Sequence, residues 1–411
     1  MRKLIAPTLL SLLIAVPGAQ AATKLTIRGA GFGHGIGMSQ FGAYGYALHL
    51  TDYPTILGHY YTGTALSQLS ANPDVGVLLQ DGRPSVRFTG ALSAGELDLD
   101  QAETYSVAQG AGGLVIRDAA GAEIATTAGP LRVAAPVGGA VELLGVSTPG
   151  VRDGRYRDAL VLSASGSRMR AVNVLGLEDY VRGVVSGESP ASWPTEALRA
   201  QAVAARTYAI TSNAGGATFT QYADTRSQVY RGVSGETPTT DAAVRDTAGQ
   251  VVTYNGTPAT TFFFSTSGGE TEDIENSFVG SAPKPWLKAV EDPFDNLSPK
   301  HRWGPFKYTA AQAGRKLGRL LKGRFTKIKV LQRGASPRVV RAQVVGTKGI
   351  VNVTGPQLRR VFGLFDTWAY FTSVATAVKT PASTPAPAPP TGGTETGGGM
   401  PAARAAGAGS S

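Results

Sequence analysis

Few side chains in this sequence can do chemistry at physiological pH, and one carboxyl stands apart from the rest. Glu188 follows the apolar pair Val184-Val185 and sits between Gly187 and Ser189-Pro190, just ahead of a helix-forming run. Glycine permits close backbone approach and proline biases the residue before it towards extended backbone, so the carboxyl is expected on a stiff turn. In apolar surroundings such a group keeps its proton to higher pH, and can then give it to a leaving oxygen and take one back. By spacing alone, Glu188 is also open to a plainer role as a surface carboxylate at a helix start. A nucleophile is harder to find. His34 and Ser39 lie close in sequence, but no Gly-x-Ser-x-Gly elbow occurs, and His34 and Gln40 either line a groove or hydrogen-bond the fold. The glycines at 29, 31, 33, 35 and 37 match neither a dinucleotide fingerprint nor a P-loop. With no cysteine and four histidines, at 34, 49, 59 and 301, neither a structural zinc of the usual ligand set nor any other cofactor is expected.

The elements that must hold Glu188 are partly legible. Pro194 suits a first helical position, and Glu196 in the first turn complements the helix dipole. Leu198, Ala202, Ala205 and Ala209 form a small-residue stripe that lets another element approach closely. Arg206, flanked by alanines and Tyr208, is expected to be partly buried and to need an anionic or carbonyl partner. Ahead of Glu188 come strands at 159–162 and 170–175 and a short helix at 177–181. After it come a loop at 219–232 ordered by Asp224, Gln228 and Tyr230, a helix at 239–246, and a hairpin across Asn255-Gly256. The segment Ser265-Thr-Ser267-Gly-Gly-Glu270-Thr sets hydroxyls beside paired glycines. That suits sugar recognition, or an ordinary serine-rich turn. Trp286, His301, Trp303 and Phe306 either stack on a sugar ring or fill the core.

The run from Tyr180 to Tyr208, with Gly183-Val-Val-x-x-Glu188-x-Pro190 leading into Ala197-Leu-x-Ala-Gln-Ala-Val-Ala-Ala-Arg206-Thr-Tyr208, resembles the signature of the SpoIID/LytB family of bacterial cell-wall proteins. A second block, Gly31-Phe-Gly-His34-Gly-Ile-Gly-Met-Ser39-Gln40-Phe-Gly-Ala-Tyr44-Gly followed by Ile56-Leu-Gly-His59-Tyr-Tyr-Thr-Gly63-Thr64, is similar to another family signature. In sporulation members that block closes the domain; here it comes first, an order resembling a circular permutation. The resemblance implies an α+β fold with a SpoIID-like core of mixed β-structure. It implies lytic transglycosylase action on peptidoglycan, with Glu188 as acid and then base and with 1,6-anhydro-muramoyl ends as product. Arg206, Tyr208, Ser265, Ser267, His34 and Gln40 would then bind substrate, Arg206 by orienting Glu188 or holding a lactyl or N-acetyl group. Some relatives carry cysteines in the 219–232 loop and a zinc site is known in the family, but Ala223 and Ser227 stand about where those thiols would be. Two other readings follow from the same residues: a non-catalytic wall-binding amidase enhancer with a cell-wall amidase as partner, or a glycan hydrolase pairing Glu188 with Asp224 or Glu270.

Composition sets the frame. The 411 residues allow two or three domains, and 53 Gly and 25 Pro with 17% charged residues favour strands and turns over long charged helices. Residues 1–21, with Arg2 and Lys3, an apolar run and Ala19-Gln-Ala21, read as a signal peptide, or alternatively as an uncleaved anchor, so the protein is expected to be exported to periplasm, wall or medium. Residues 22–66 complete the core, 67–150 form an inserted small β-rich module, 151–375 form the catalytic core, and 376–411 form a disordered Pro/Gly/Ala-rich tail. Between His301 and Phe365 stand 15 Lys or Arg and no Asp or Glu, in a pattern of antiparallel strands with one wet, basic face. Without aromatic interleaving, that face suits anionic envelope polymers rather than nucleic acid, or is merely solvated.

Overall fold

The computed structural model describes residues 22–146 and 151–376. The leader read at 1–21 and nearly all of the tail read at 376–411 lie outside the described residues. Strand alternation sets the largest layer. In Asp74–Arg83, Val75, Val77 and Leu79 point inward, and this strand pairs antiparallel with Arg168–Gly176 in the register Val172 to Leu78 and Val174 to Gly76. The seven-stranded sheet continues through Ala159–Ser165 and Leu131–Ala134 to two short edge strands. A six-stranded sheet, with Thr104–Gly110, Ser85–Thr89 and Val141–Leu144 at its centre, shares one apolar core with it. Phe88, Val107 and Leu143 belong to the same buried cluster as Leu160, Met169 and Leu175. The 67–150 segment is therefore not a free-standing insertion. Its strands are built into the sheet and core of residues 159–176, because no single amphipathic sheet can bury its apolar face alone.

Helices α1 (Gln40–Leu48) and α2 (Tyr53–Tyr60) begin at the side-chain caps of Ser39 and Asp52. Helix α3 runs Leu177–Glu188, seven residues longer than the short helix expected, and so Glu188 is its last residue rather than part of a separate turn. Two glycines of the helix serve close contacts, as expected of Gly187. A Cβ at Gly183 would sit 2.5 Å from the Tyr230 ring, and one at Gly187 would sit 2.4 Å from the Val229 carbonyl oxygen. The helix stops where Ser189, before Pro190, adopts extended backbone.

Helix α4 (Thr195–Thr211) lies between two cores. Leu198, Ala202, Ala205 and Ala209 face the sheets, while Ala197, Ala200, Val203 and Ala204 pack on α1, α2 and Val252. The expected stripe is thus one of two buried faces. Helix α5 (Pro238–Asp246) starts from a capping box between Thr237 and Thr240, and α6 (Ile274–Ser277) is a single turn.

The glycine-rich block runs beside residues 262–268. Phe32 and Thr266 exchange backbone hydrogen bonds, and Met38–Ser39 pairs in parallel with Phe263–Phe264. Gly37 has φ of 72°, and a Cβ there would meet the Phe262 carbonyl oxygen at 2.2 Å, so glycine is required by both conformation and space. In the carboxy-terminal part, Phe325–Arg333, Val339–Gly346 and Gly349–Thr354 form an antiparallel sheet covered on one face by α7 (Ala310–Leu317) and α8 (Gly355–Phe362). Lys327, Lys329 and Arg341 are exposed as the sequence suggested, but Arg338 is not. Its buried guanidinium pairs with Asp366 through two bonds of 3.0 Å and donates to the carbonyls of Ser267 and Glu270 at 2.7 Å each. This pair ties the basic sheet to the serine-rich segment. Asp366→Ala leaves a buried cation uncompensated and is expected to cost about 3–5 kcal/mol in urea unfolding followed by tryptophan fluorescence. A loss below about 1 kcal/mol would mean that the carbonyls alone neutralise Arg338.

Candidate active site around Glu188

The carboxyl at the end of α3 is half-buried and held from two sides. The Val229 N–H donates to its Oε1 at 2.6 Å, and the Gln40 side-chain amide donates to its Oε2 at 3.3 Å. The same amide nitrogen reaches the Glu188 carbonyl at 3.2 Å and Gln201 Oε1 at 3.3 Å. Two hydrogens shared among three acceptors explain why all three contacts are long. Burial raises the carboxyl pKa above its ordinary 4.5, while the Val229 N–H, Gln40 and the charge of Arg231 pull it down less strongly. Its place at a helix carboxy terminus, the negative end of the dipole, acts in the same direction as burial. The result is an acid that keeps a proton longer than an exposed glutamate and has donors ready for the anion once the proton leaves.

The surroundings are aromatic. Tyr180 is buried, donates to Gln228 Oε1 at 2.8 Å, and has its pKa raised, first by burial. Trp193, in the loop leaving Glu188, stacks on Tyr44 at 4.9 Å and meets Phe41 edge-on at 5.2 Å. All three rings are half-buried, and Phe41 directly follows Gln40. The shelf they form escaped sequence reasoning because its parts come from segments about 150 residues apart; the available signal was Phe41 and Tyr44 at helical spacing beside Gln40.

Of the residues expected to bind substrate, Gln40 meets Glu188 directly, while Tyr208 meets the rings of Phe262 and Phe263 edge-on at 5.8 and 6.4 Å. Arg206 does not meet Glu188. Its fully buried guanidinium grips Glu178 with bonds of 2.8 and 2.7 Å and caps the carbonyls of Gln250 and Val244, so it braces the start of α3 against α4. Ser267 is also fully buried, with its Oγ accepting the Gly269 N–H, and the half-buried Ser265 takes the Phe41 N–H on its backbone carbonyl. His34 accepts the Ile36 N–H on Nδ1 and packs among Phe262, Phe264 and Phe278. Burial and the nearby Arg359 push its pKa down to about 3, so the ring is neutral and belongs to a separate cleft of about 450 Å³ with Arg359 and Arg360. Trp303 is buried with its indole N–H on the Gly31 carbonyl, and the half-buried His301 pairs with Asp295.

The 219–232 loop is ordered as its sequence suggested. Gln228 bridges Tyr180 and the Ala205 carbonyl, Tyr230 donates to Asn173, and Ser227 Oγ takes the Tyr222 N–H. Asp224 is committed to Arg226, whose hydrogen bonds lower its pKa, while burial and the charge of Glu272 raise that of Glu270. Neither shares a hydrogen-bond partner with Glu188. Among the described residues no cluster of three or more His, Cys, Asp or Glu is placed to hold a metal ion.

Behind α1 lies a buried acid that the sequence did not flag. Asp292 is fully buried, and its oxygens sit 2.3 and 2.4 Å from where a Cβ at Gly42 would be, against the first turn of α1. Burial and Asp295 push its pKa to about 6, opposed by the hydroxyls of Ser267, Ser39 and Tyr60. A carboxyl at this helix end favours the dipole and steadies the turn that carries Gln40.

A glycine-rich block, an acid closing one helix and an alanine-rich helix behind it together define a SpoIID-type domain. The family model described as SpoIID, stage II sporulation protein, matches residues 165–254, which carry α3, Glu188, α4 and Val229, so this part of the chain is similar to the SpoIID/LytB family. Stage II sporulation protein D of Bacillus subtilis (strain 168) is 35% identical over 213 residues, covering 47% of this chain and 60% of that protein. Stage II sporulation protein D of Bacillus amyloliquefaciens is 31% identical over 211 residues, covering 47% and 59%. An amidase enhancer of Bacillus subtilis (strain 168) is 44% identical over 116 residues, covering 28% of this chain and 15% of that protein. The matches thus span about three fifths or less of these relatives.

Two outcomes follow from the electrostatics. Gln40 favours the carboxylate, so Gln40→Ala is expected to raise the Glu188 pKa further in a carboxyl-carbon NMR titration; a lower pKa would show that the amide does not stabilise the anion. An acid whose folded pKa is raised binds more protons folded than unfolded, so stability falls as pH rises from the ordinary 4.5 through the raised value. Glu188→Gln should therefore be more stable than the parent above that window and should lose the slope within it, as read by urea unfolding between pH 4 and 8.

Proposed function

We propose that this protein cleaves peptidoglycan glycan strands as a lytic transglycosylase, with Glu188 as acid and then as base. The SpoIID family match and the amidase-enhancer relative support a cell-wall-related role. The observation that carries the finer reading is the raised, half-buried carboxyl at the end of α3, held between the Val229 N–H and Gln40.

In this scheme the Glu188 proton passes to the glycosidic oxygen as the bond from C1 breaks, and the leaving sugar departs as an alcohol. The Val229 N–H and the Gln40 amide hold the carboxylate so formed. It then takes the proton of the muramoyl 6-hydroxyl while O6 bonds to C1, which closes the 1,6-anhydro ring and returns the acid to its starting state. One carboxyl does both steps, and no water enters the product. The half-buried rings of Trp193 and Tyr44 supply an apolar face for a pyranose beside it. An exported location, with the leader at 1–21, fits this substrate.

The amidase-enhancer relative, at 44% identity, favours a second reading in which the same surface binds wall and stimulates an amidase without cutting glycan. Mass spectrometry of glycan strands incubated with the protein separates the two. Anhydro-muramoyl ends support cleavage, whereas intact strands with retained wall binding support the enhancer; reducing ends would point instead to hydrolysis. Glu188→Gln is expected to abolish anhydro products and keep wall pull-down, and Trp193→Ala to weaken pull-down several-fold. If Glu188→Gln still made anhydro ends at the parental rate, the acid would lie elsewhere.

A further inference from the structure

The carboxy-terminal sheet turns one face away from its core. Phe325, Ile328, Ala342 and Val344 pack under α7 and α8, while Lys327, Lys329 and Arg341 project from the strands into solvent. Leu331 and Ile350 are 49% and 51% exposed, and Gln343 donates to Asn352 across the register at 3.1 Å. Leu331, Arg341, Gln343 and Asn352 line a groove of about 440 Å³. Lys327 and Lys329, at alternate positions on one strand, repeat at about 7 Å along it. At the end of the sheet where Phe325 begins, Lys322, Arg324 and Lys348 add three more exposed cations, brought together by backbone bonds from Thr347 to the Arg324 carbonyl and from Lys348 to the Lys322 carbonyl. Of the Lys and Arg side chains between His301 and Phe365, Arg338 alone is ion-paired among the described residues.

We propose that this open face binds a linear anionic polysaccharide. Regularly spaced cations meet carboxylates along the polymer, the Gln343 and Asn352 amides meet hydroxyls, and Leu331 and Ile350 meet the C–H faces of the rings. Nucleic acid has the right charge but fits the surface less well. Phe325, the one aromatic residue of the three strands, is buried, so no ring is offered for base stacking. The proposal stands apart from the role of Glu188 and concerns how the chain is held on its matrix.

Biolayer interferometry of the full chain on immobilised polygalacturonate, at 50 and 200 mM salt, tests it. Binding that weakens with salt, and that falls about tenfold or more in Lys327→Glu/Lys329→Glu/Arg341→Glu with an unchanged circular dichroism spectrum, is the expected result. Gln343→Ala keeps every charge and should weaken polygalacturonate binding while leaving dextran sulfate binding unaltered. Parental affinity in the triple variant, equal loss on both polymers in Gln343→Ala, or tighter binding to a 20-base-pair DNA duplex than to polygalacturonate would overturn the assignment.

Discussion

A single amide links the two stretches on which the candidate site depends. Gln40 and Glu188 are 148 residues apart, and their contact fixes the glycine-rich block against the end of α3. The requirement it meets is narrow. Burial and the helix dipole alone would leave a carboxyl that holds its proton and cannot give it up, because the anion would have no partner. Strong donors alone would leave a carboxylate with no proton to give. The Val229 N–H at 2.6 Å and the stretched contact from Gln40 at 3.3 Å leave burial the larger influence while keeping the anion accessible.

Much of the remaining architecture keeps that balance in place. Arg206 and Glu178 lock the opposite end of α3, and they sit so that the pair is sheltered by α4 and by the carbonyls of Gln250 and Val244. Removing Glu178 would leave the buried Arg206 charge without its anion, which makes the orientation of α3 cooperative with the core rather than adjustable. The alanines of α4 allow helices to approach on both of its faces, and Gly183 and Gly187 let the 229–232 segment lie directly on α3. The Val229 N–H reaches the carboxyl only because no side chain intervenes at Gly187. On the other side, the Ser39 side chain accepting the Gly42 N–H and the Phe41 N–H to Ser265 carbonyl bond hold the first turn of α1, which carries Gln40.

Local signals in the sequence were legible and long-range ones were not. The small-residue stripe of α4 and the alternation in the basic strands are local patterns, and each marked its element within a few residues. Gly187 showed that backbone would approach closely there, but not that α3 runs through Gly183 and Gly187 to Glu188, since the partners they admit, Tyr230 and Val229, lie in a distant segment. Alternation located the strands of 67–150 without revealing that they pair with 159–176, since register is set by partners far along the chain. Arg206 announced its need for an anion but not which one; the need was met by Glu178, on the far end of the helix that carries the acid. The Phe41, Tyr44 and Trp193 shelf and the buried Asp292 share that difficulty, as each acquires meaning from a neighbour in another segment.

The early position of the glycine-rich block is compatible with the same fold for a geometric reason. Its leading strand, Ala22–Ala30, lies between Arg302–Thr309 and Ala369–Thr376 in one sheet, and the Ala30 N–H bonds the Trp368 carbonyl. The first and last described strands are therefore neighbours, so the block could be reached from either without disturbing the contacts that follow it. What the site needs is Gln40 at the start of α1 and the run 31–39 beside residues 262–268; both are specified by backbone pairing and by glycine conformation, neither by the order of segments along the chain. Chain order is free where spatial neighbours close the loop, and the side chain that must reach Glu188 is positioned by the sheet and not by its distance along the sequence.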